Sequence, residues 1–146
     1  MPTSRAHRSG RHRSDDPAPL RCPDQAIDVI VTATSLDRPA TVCLMVDDAR
    51  WPLGCLVVDQ SGPSAPVDAV EMGERLAEII GASPEVAAAV LASIRPEQGC
   101  EPADAERLLE LTMAFDAVGI ELLEWFVVHP LGVVQLRAAT GEPSRW

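Results

Sequence analysis

The segment from Ile94 to Val128 constrains the fold most, because a loop, a helix and a strand follow one another within it. Pro96, Gly99 and Pro102 mark the loop. EPADAERLLELTMAFDAVG comes next, with early acidic residues, apolar residues at helical spacing and a final glycine, which is the pattern of an amphipathic helix. IELLEWFVV then has the nearly continuous apolar character of a buried strand. This order predicts an α/β fold.

Two helices are predicted to bury one apolar stripe each. The stripe of the helix just described consists of Leu108, Leu111, Phe115 and Val118. An earlier helix, VDAVEMGERLAEIIG, is predicted to bury Val70, Gly73, Ala77 and Ile80, with Met72, Leu76 and Ile79 beside them. Gly81 is predicted to end that helix as its C-terminal cap.

Short runs rich in β-branched residues predict the strands. IDVIVTATS (27–35), ATVCLMV (40–46) and LGCLVVDQ (53–60) have this composition, and DDARWP joins the last two as a hairpin turn. In VVQLR, Val134 and Leu136 are predicted to lie on one face of a strand, with Gln135 and Arg137 on the other. The expected fold class is therefore α/β, with a mixed β-sheet and flanking helices.

One domain is expected for a chain of 146 residues. Residues 1–25 are rich in Arg, Ser, Pro and His and have almost no apolar content, so they are predicted to form a disordered Arg-rich tail. Residues 26–138 are predicted to form the α/β domain, and residues 139–146 a frayed C-terminus. Deletion of residues 1–24 is then expected to leave the thermal midpoint nearly unchanged.

The charge distribution bears on the possible partners. Residues 1–24 contain five Arg and three Asp, whereas the rest of the chain contains seven Arg and nineteen acidic residues. Such an acidic body repels a phosphate backbone, because nucleic acids bind clustered Lys and Arg. Nucleic-acid binding is disfavoured except weakly through the Arg-rich tail, and an unidentified protein is the expected partner.

The same sequence bears on localisation. No apolar run reaches the roughly 20 residues of a membrane span, and the N-terminus lacks the apolar core of a signal peptide. A cytoplasmic protein with no membrane partner is predicted. The absence of Lys, Asn and Tyr indicates a GC-rich bacterial source.

Cysteine and histidine are too sparse to indicate a cofactor. Cys22, Cys43, Cys55 and Cys100 form no C-x-x-C pair, and His129 is the one histidine outside the tail. Neither a structural zinc site nor a disulfide framework is predicted. The acidic neighbours of Cys100 are expected to raise its thiol pKa, and His129 is expected to be a solvated turn residue.

The helix VDAVEMGERLAEIIGAS, then AAAVLASIRP, a Gly-containing loop and PADAERLLELTMAFDAVGIELLEWFVV form a recognisable layout. Over residues 40–137 it resembles the RadC-like branch of the JAB (JAMM, MPN) family. There a helix leads to a strand ending in H-x-H-P-x-G, followed by P-S-x-x-D, a second helix and a strand such as L-L-D-H-x-I-V. The resemblance implies a JAB/MPN-like sheet with cytidine-deaminase-like layering. It also implies a buried strand at residues 87–94, where local propensity alone favours a helix.

In the family, two His, one Asp and a water bind zinc, and an upstream Glu activates the water for amide hydrolysis. With the motifs aligned on their proline, the two His positions fall on Ser93 and Arg95, and the Asp position falls on Asp104. A Ser hydroxyl is a poor zinc ligand, and an Arg places a permanent cation where the metal would lie. The D-H pair is replaced by Glu124 and Trp125, and the strand ATVCLMV has no Glu to act as the base.

The resemblance implies a former active-site groove formed by Ser93, Arg95, Glu101, Asp104 and Trp125. An ion pair of Arg95 with Asp104 or Glu101 is expected to replace the metal. The leading hypothesis is a metal-free, non-catalytic module for protein interaction or structure. Two alternatives remain: a JAB-type hydrolase that uses a partner's metal ligands, and a DNA-repair-associated RadC-like protein that relies on the tail.

Overall fold

A computed structural model of the chain describes residues 18–62 and 68–146. The helices are α1 (Pro23–Ala33), α2 (Ala69–Gly81), α3 (Asp104–Ala117) and α4 (Leu136–Thr140). The strands are β1 (Ala40–Val46), β2 (Pro52–Asp59), β3 (Ala88–Ile94), β4 (Glu121–His129) and β5 (Gly132–Gln135). The predicted α/β class, with a mixed sheet and flanking helices, is confirmed.

The five strands form one sheet in the order β2-β1-β3-β4-β5. β1 is antiparallel to β2 and β3, β3 is parallel to β4, and β5 is antiparallel to β4. The hairpin β1–β2 and the strand at residues 87–94 are therefore present as predicted. Because β3 and β4 are parallel, α3 forms the crossover between them, and the loop after β3 returns to the start of α3.

Helices cover both faces of the sheet. On the first face, α2, α3 and the start of α4 bury an apolar cluster that includes Leu76, Leu111, Phe115 and Trp125. On the second face, α1 contributes Ala26 and Ile30 to a cluster with Leu20, Leu44 and Phe126. All seven residues of β3 are buried, since this central strand has a covered face on each side.

Glycine allows α2 and α3 to approach closely. A Cβ atom on Gly73 would lie 2.1 Å from a methyl carbon of Leu111, and one on Gly81 would lie 2.9 Å from Cβ of Val118. Gly81 is the last residue of α2, as predicted. The close approach of Val118 explains why this position is a glycine, since Gly81 does not adopt a left-handed conformation. A left-handed glycine does follow α3, where Gly119 has a φ of +77°. Ile79, which was predicted to lie beside the buried stripe, is 61% exposed.

The predicted strand IDVIVTATS is wrong, because these residues lie in α1 or just after it. Pro23 occupies the first turn of α1, and Ala26 and Ile30, four residues apart, point into the core. Burial on the second face of the sheet outweighs the β preference of the branched residues. Leu20 is also buried, so residues 18–25 are ordered and that part of the predicted tail is corrected. Residues 1–17 lie outside the described part of the chain.

The C-terminal prediction also needs correction. β5 ends at Gln135, and the next residues form the short helix α4, which Gly141 terminates at φ +78°. Leu136 and Arg137 are therefore helical and not in the predicted strand. Leu136 does pack on the same face as Val134, as predicted, and Arg137 is buried. Residues 139–146 are not simply frayed, because Trp146 packs against the cluster on the second face.

Candidate functional site

A cleft of about 720 Å³ opens where β3 ends and where β1 and α2 begin. Ser93, Arg95 and Glu101 from the predicted groove line it together with Arg107. Within the described part of the chain, the rest of its wall comes from Asp37, residues 39–41, Gln60, Gly62, residues 68–69, Ile94 and residues 96–98. The loop between β3 and α3 therefore forms one side of the cleft, as expected for a site at the carboxyl end of a strand.

The pairing of Arg95 with Asp104 organises this loop. Two guanidinium nitrogens of Arg95 donate to the two carboxylate oxygens of Asp104, at 2.7 and 3.0 Å. Arg95 also donates to the carbonyl of Gly99 at 3.3 Å. The Arg95–carboxylate pair expected from the sequence is present. It is bidentate, which is the strongest geometry for an arginine–carboxylate interaction.

Asp104 uses the full hydrogen-bonding capacity of its carboxylate. Oδ1 accepts from Arg95 and Arg107, and Oδ2 accepts from Arg95 and from the backbone N–H of Glu101. A carboxylate offers about four lone-pair positions, so none is left for a cation. Burial alone would raise the pKa of Asp104, but the hydrogen bonds from Arg95, Glu101 and Arg107 hold it below its ordinary value.

Arg107 is a member of the site that sequence reasoning missed. Its guanidinium donates to Glu101 at 2.7 Å and to Asp104 at 2.9 Å, and it lies 3.7 Å from Asp68 at the start of α2. Glu101, followed by Asp104, raises the pKa of Arg107. Asp104 and Arg107 are three residues apart on α3, and this spacing is the signal that could have revealed the pair.

Ser93 and Trp125 form the buried floor beneath Arg95. The indole Nε1 of Trp125 donates to Oγ of Ser93 at 2.9 Å, and the guanidinium carbon of Arg95 lies 5.7 Å from the centre of the Trp125 ring. This distance permits a cation–π interaction. All five predicted groove residues thus belong to one contiguous group. Trp125 and Asp104 lie behind the wall of the cleft and do not line it.

Within the described residues, no group of three or more His, Cys, Asp or Glu is arranged to hold a metal ion. Burial, followed by the Asp104 charge, raises the pKa of Cys100, so its thiolate is not favoured. His129 is half-buried rather than solvated, because Gly99 of the loop packs against its imidazole. Its Nδ1 accepts from the N–H of Leu131 at 3.3 Å.

A second polar network, which was not predicted from the sequence, lies at an irregularity in β4. The register with β3 shifts between Ala89 and Val90, where Leu122 and Glu124 are the successive partners on β4, so Leu123 is an extra residue. Oε1 of Glu124 accepts from the N–H groups of Trp125 and Arg137, both at 2.9 Å.

The buried Arg137 side chain forms hydrogen bonds with the backbone at the same bulge. It donates to the carbonyls of Leu122 and Leu123 at 2.8 and 3.2 Å. Burial raises the pKa of Glu124 and lowers that of Arg137. The side chain of Glu124 therefore faces its own bulge, and it does not reach the Arg95 cleft.

No helix in residues 18–62 or 68–146 is both long and apolar enough to cross a membrane. No protein-family model matches the sequence, and no curated protein is significantly similar to it.

Proposed function

We propose that the chain is a metal-free, non-catalytic JAB-like domain of the RadC-like type, and that its cleft binds a protein partner. The order α2, β3, loop, α3, β4 supports the resemblance, because this is the order that the family motif requires. The strand at 88–94 is the discriminating element, since a helix there would have removed the basis for aligning Ser93 and Arg95 with the ligand positions.

The observation that carries the proposal is the saturated carboxylate of Asp104. In the family an imidazole and an Asp at these positions hold zinc, whereas Arg95 and Asp104 bind each other directly. The guanidinium supplies the positive charge that a metal would supply. A dication placed beside Arg95 would be repelled, and Asp104 would have to give up existing hydrogen bonds to bind it.

The charges at the mouth of the cleft favour a protein over a nucleic acid. Asp37, Asp68 and Glu97 line the cleft and are exposed, and Glu101 is half-buried. The two lining arginines, Arg95 and Arg107, are already paired with carboxylates. A phosphate backbone would therefore meet net negative charge, whereas a protein surface can present complementary groups.

Restoring the family's ligands tests the proposed alignment. The double variant Ser93→His/Arg95→His, with Asp104 freed from Arg95, is expected to bind about one zinc per chain, and the wild type far less than one. Zinc is measured by elemental analysis after dialysis, and the thermal midpoint is compared with and without a chelator. Each single variant and a triple variant with Asp104→Asn serve as controls. A folded double variant that gains no zinc, or a wild type that carries one zinc per chain, would contradict the proposal.

A photo-crosslinking side chain at Glu97 tests the role of the cleft in the cells that naturally make the protein. We expect one adduct of defined mass, lost when Arg107→Glu alters the cleft wall. The same probe at Met113, exposed on α3, is the matched control. Equal adducts at both positions, or none at Glu97, would argue against a partner in the cleft.

A further inference from the structure

β2 is an edge strand with an open side. It pairs with β1 from Pro52 to Asp59, with one register shift that leaves Leu53 without a partner on β1, and no strand among the described residues pairs with its other side. One row of its backbone N–H and C=O groups is therefore available to another strand. The opposite edge of the sheet, β5, has only four residues, whereas β2 has eight.

The side chains of β2 do not protect this edge. From Pro52 to Val58 the strand has no charged residue, and its one proline is at the first position. Leu53 and Val57 are 45% and 44% exposed. Natural edge strands are usually protected by charges, interior prolines, bulges or short length. β2 has one irregularity, at Leu53, but from Gly54 to Val58 it is regular, uncharged and open to another chain.

We propose that β2 pairs in antiparallel fashion with β2 of a second copy, which joins the two sheets into one. A two-fold axis perpendicular to the sheet maps each face onto itself, so residues that face each other belong to the same face. With the axis at Cys55, Leu53 of each copy, at the register shift of β2, lies beside Val57 of the other. The exposed apolar side chains of β2 then cover one another.

The distribution of charge favours a second copy as the partner. Two chains of net charge −10 repel each other, so a self-contact is most favourable where charged side chains are absent. β2 is such a segment, flanked by Arg50 on one side and ended by Asp59 on the other. Antiparallel pairing about Cys55 brings Asp59 of one copy towards Trp51 and Arg50 of the other. The Arg50 guanidinium, which also lies 3.8 Å from Glu121 of its own chain, is partly exposed there, so unlike charges approach at both ends of the seam.

The mass of the full chain in solution tests this pairing. Light scattering and sedimentation from about 1 to about 200 µM are expected to show a concentration-dependent dimer. The dimer should strengthen with added salt, which screens the repulsion between copies. Leu53→Lys/Val57→Lys places like charges in the seam and is expected to halve the mass. Leu109→Lys/Met113→Lys, at exposed apolar sites on α3, makes the same chemical change and should leave the dimer intact.

Cysteine cross-linking provides an independent measurement if the lysine variant does not fold, which circular dichroism would reveal. In a Cys22→Ser/Cys100→Ser background, a short bifunctional thiol reagent should join the half-buried Cys55 of one copy to Cys55 of the other, because both lie at the axis. A wild-type monomer at every concentration would overturn the proposal. So would a dimer that survives the β2 substitutions, the absence of the Cys55 cross-link, or β2 pairing only with a different protein.

Discussion

Asp104 is a buried acid whose environment keeps it charged. Its side chain is only 3% exposed, yet four hydrogen bonds, two of them from Arg95, surround its oxygens. Desolvation of an isolated carboxylate would cost far more than any of these bonds contributes alone. The buried charge of Asp104 is therefore fully compensated only while Arg95 and Arg107 remain in place.

Replacement of Arg95 by Ala is expected to lower the free energy of unfolding by about 1–3 kcal/mol, because two acceptor positions on buried Asp104 lose their donors. Chemical denaturation of the purified chain measures the change. Arg75→Ala is the matched control, since Arg75 pairs with Glu71 on the exposed surface of α2. That pair should contribute at most about 1 kcal/mol. Equal losses of unfolding free energy in the Arg95→Ala and Arg75→Ala variants would contradict a stabilising role for the buried Arg95–Asp104 pair.

The lowered pKa of Asp104 predicts a specific loss of stability in acid. The contribution of Asp104 is fully present above its unfolded pKa of about 3.9, and it disappears as pH falls from there through the lower folded value. The stability difference between the wild type and Asp104→Asn should therefore shrink below about pH 4. Unfolding measured at a series of pH values tests this prediction, and a stability difference that does not change with pH would contradict it.

The bulge in β4 shows how an element tolerates an irregularity. An extra residue leaves backbone groups without ladder partners, and Glu124 and Arg137 supply the missing acceptor and donors. Arg137 can reach β4 because β5 stops early and α4 turns back over the strand. The polar residues in an otherwise apolar strand thus have a structural role.

Glu124→Gln should be more stable than Glu124→Ala, because Gln retains an acceptor oxygen for the two N–H groups. Each N–H left unsatisfied in the Ala variant costs about 1–3 kcal/mol. The raised pKa of Glu124 fixes the direction of the pH effect. As pH rises from about 4.3 through the folded pKa, the wild type should lose stability relative to Glu124→Gln. Urea unfolding across this range would show no such trend if Glu124 were well solvated.

The buried stripe of α3 is predicted to provide much of the stability of the first face. Phe115 is fully buried between this helix and the sheet, so Phe115→Ala should cost about 3–5 kcal/mol. Met113→Ala is the control two residues away, where the side chain is 71% exposed and little change is expected. Equal shifts of the unfolding midpoint in the Phe115→Ala and Met113→Ala variants would show that a different face of α3 is buried.

At the scale of the whole molecule, Arg50 connects both ends of the described chain to the β1–β2 turn. Its carbonyl accepts from the N–H of Leu20 at 2.8 Å, and its guanidinium donates to the carbonyl of Arg145 at 3.2 Å. Arg50 adopts a φ of +70°, a conformation uncommon for a residue other than glycine. The segments before α1 and after α4 are thereby held against the second face of the sheet.

This arrangement reverses the expectation for N-terminal truncation. Deletion of residues 1–24 should lower the thermal midpoint, since it removes the buried Leu20 and the first residues of α1. The point substitution Leu20→Ala isolates the packing contribution and should cost about 2–5 kcal/mol. Leu131→Ala, at a position that is 91% exposed, is the matched control. A Leu20→Ala midpoint equal to that of the wild type would show that this segment does not support the domain.

The sequence by itself determined the central elements of the fold. The hairpin, the helices α2 and α3, and the buried β4 follow from periodicity, glycine position and apolar runs, which depend on residues close together in the chain. β3 required the family resemblance, because its alanines favour a helix until the strand is buried on both faces. The Arg95–Asp104 pair could be predicted because the motif brings together these two positions, which are nine apart in residue number.

Only the tertiary structure decided the remainder, for one physical reason: long-range burial outweighs local preference. α1 has the composition of a strand and becomes a helix because its apolar side covers the second face of the sheet. Arg137 is charged and near the C-terminus, yet it is buried because the bulge in β4 leaves carbonyls that need donors. Neither the uncovered face nor the bulge exists until distant strands have paired, so neither was visible in the local sequence pattern.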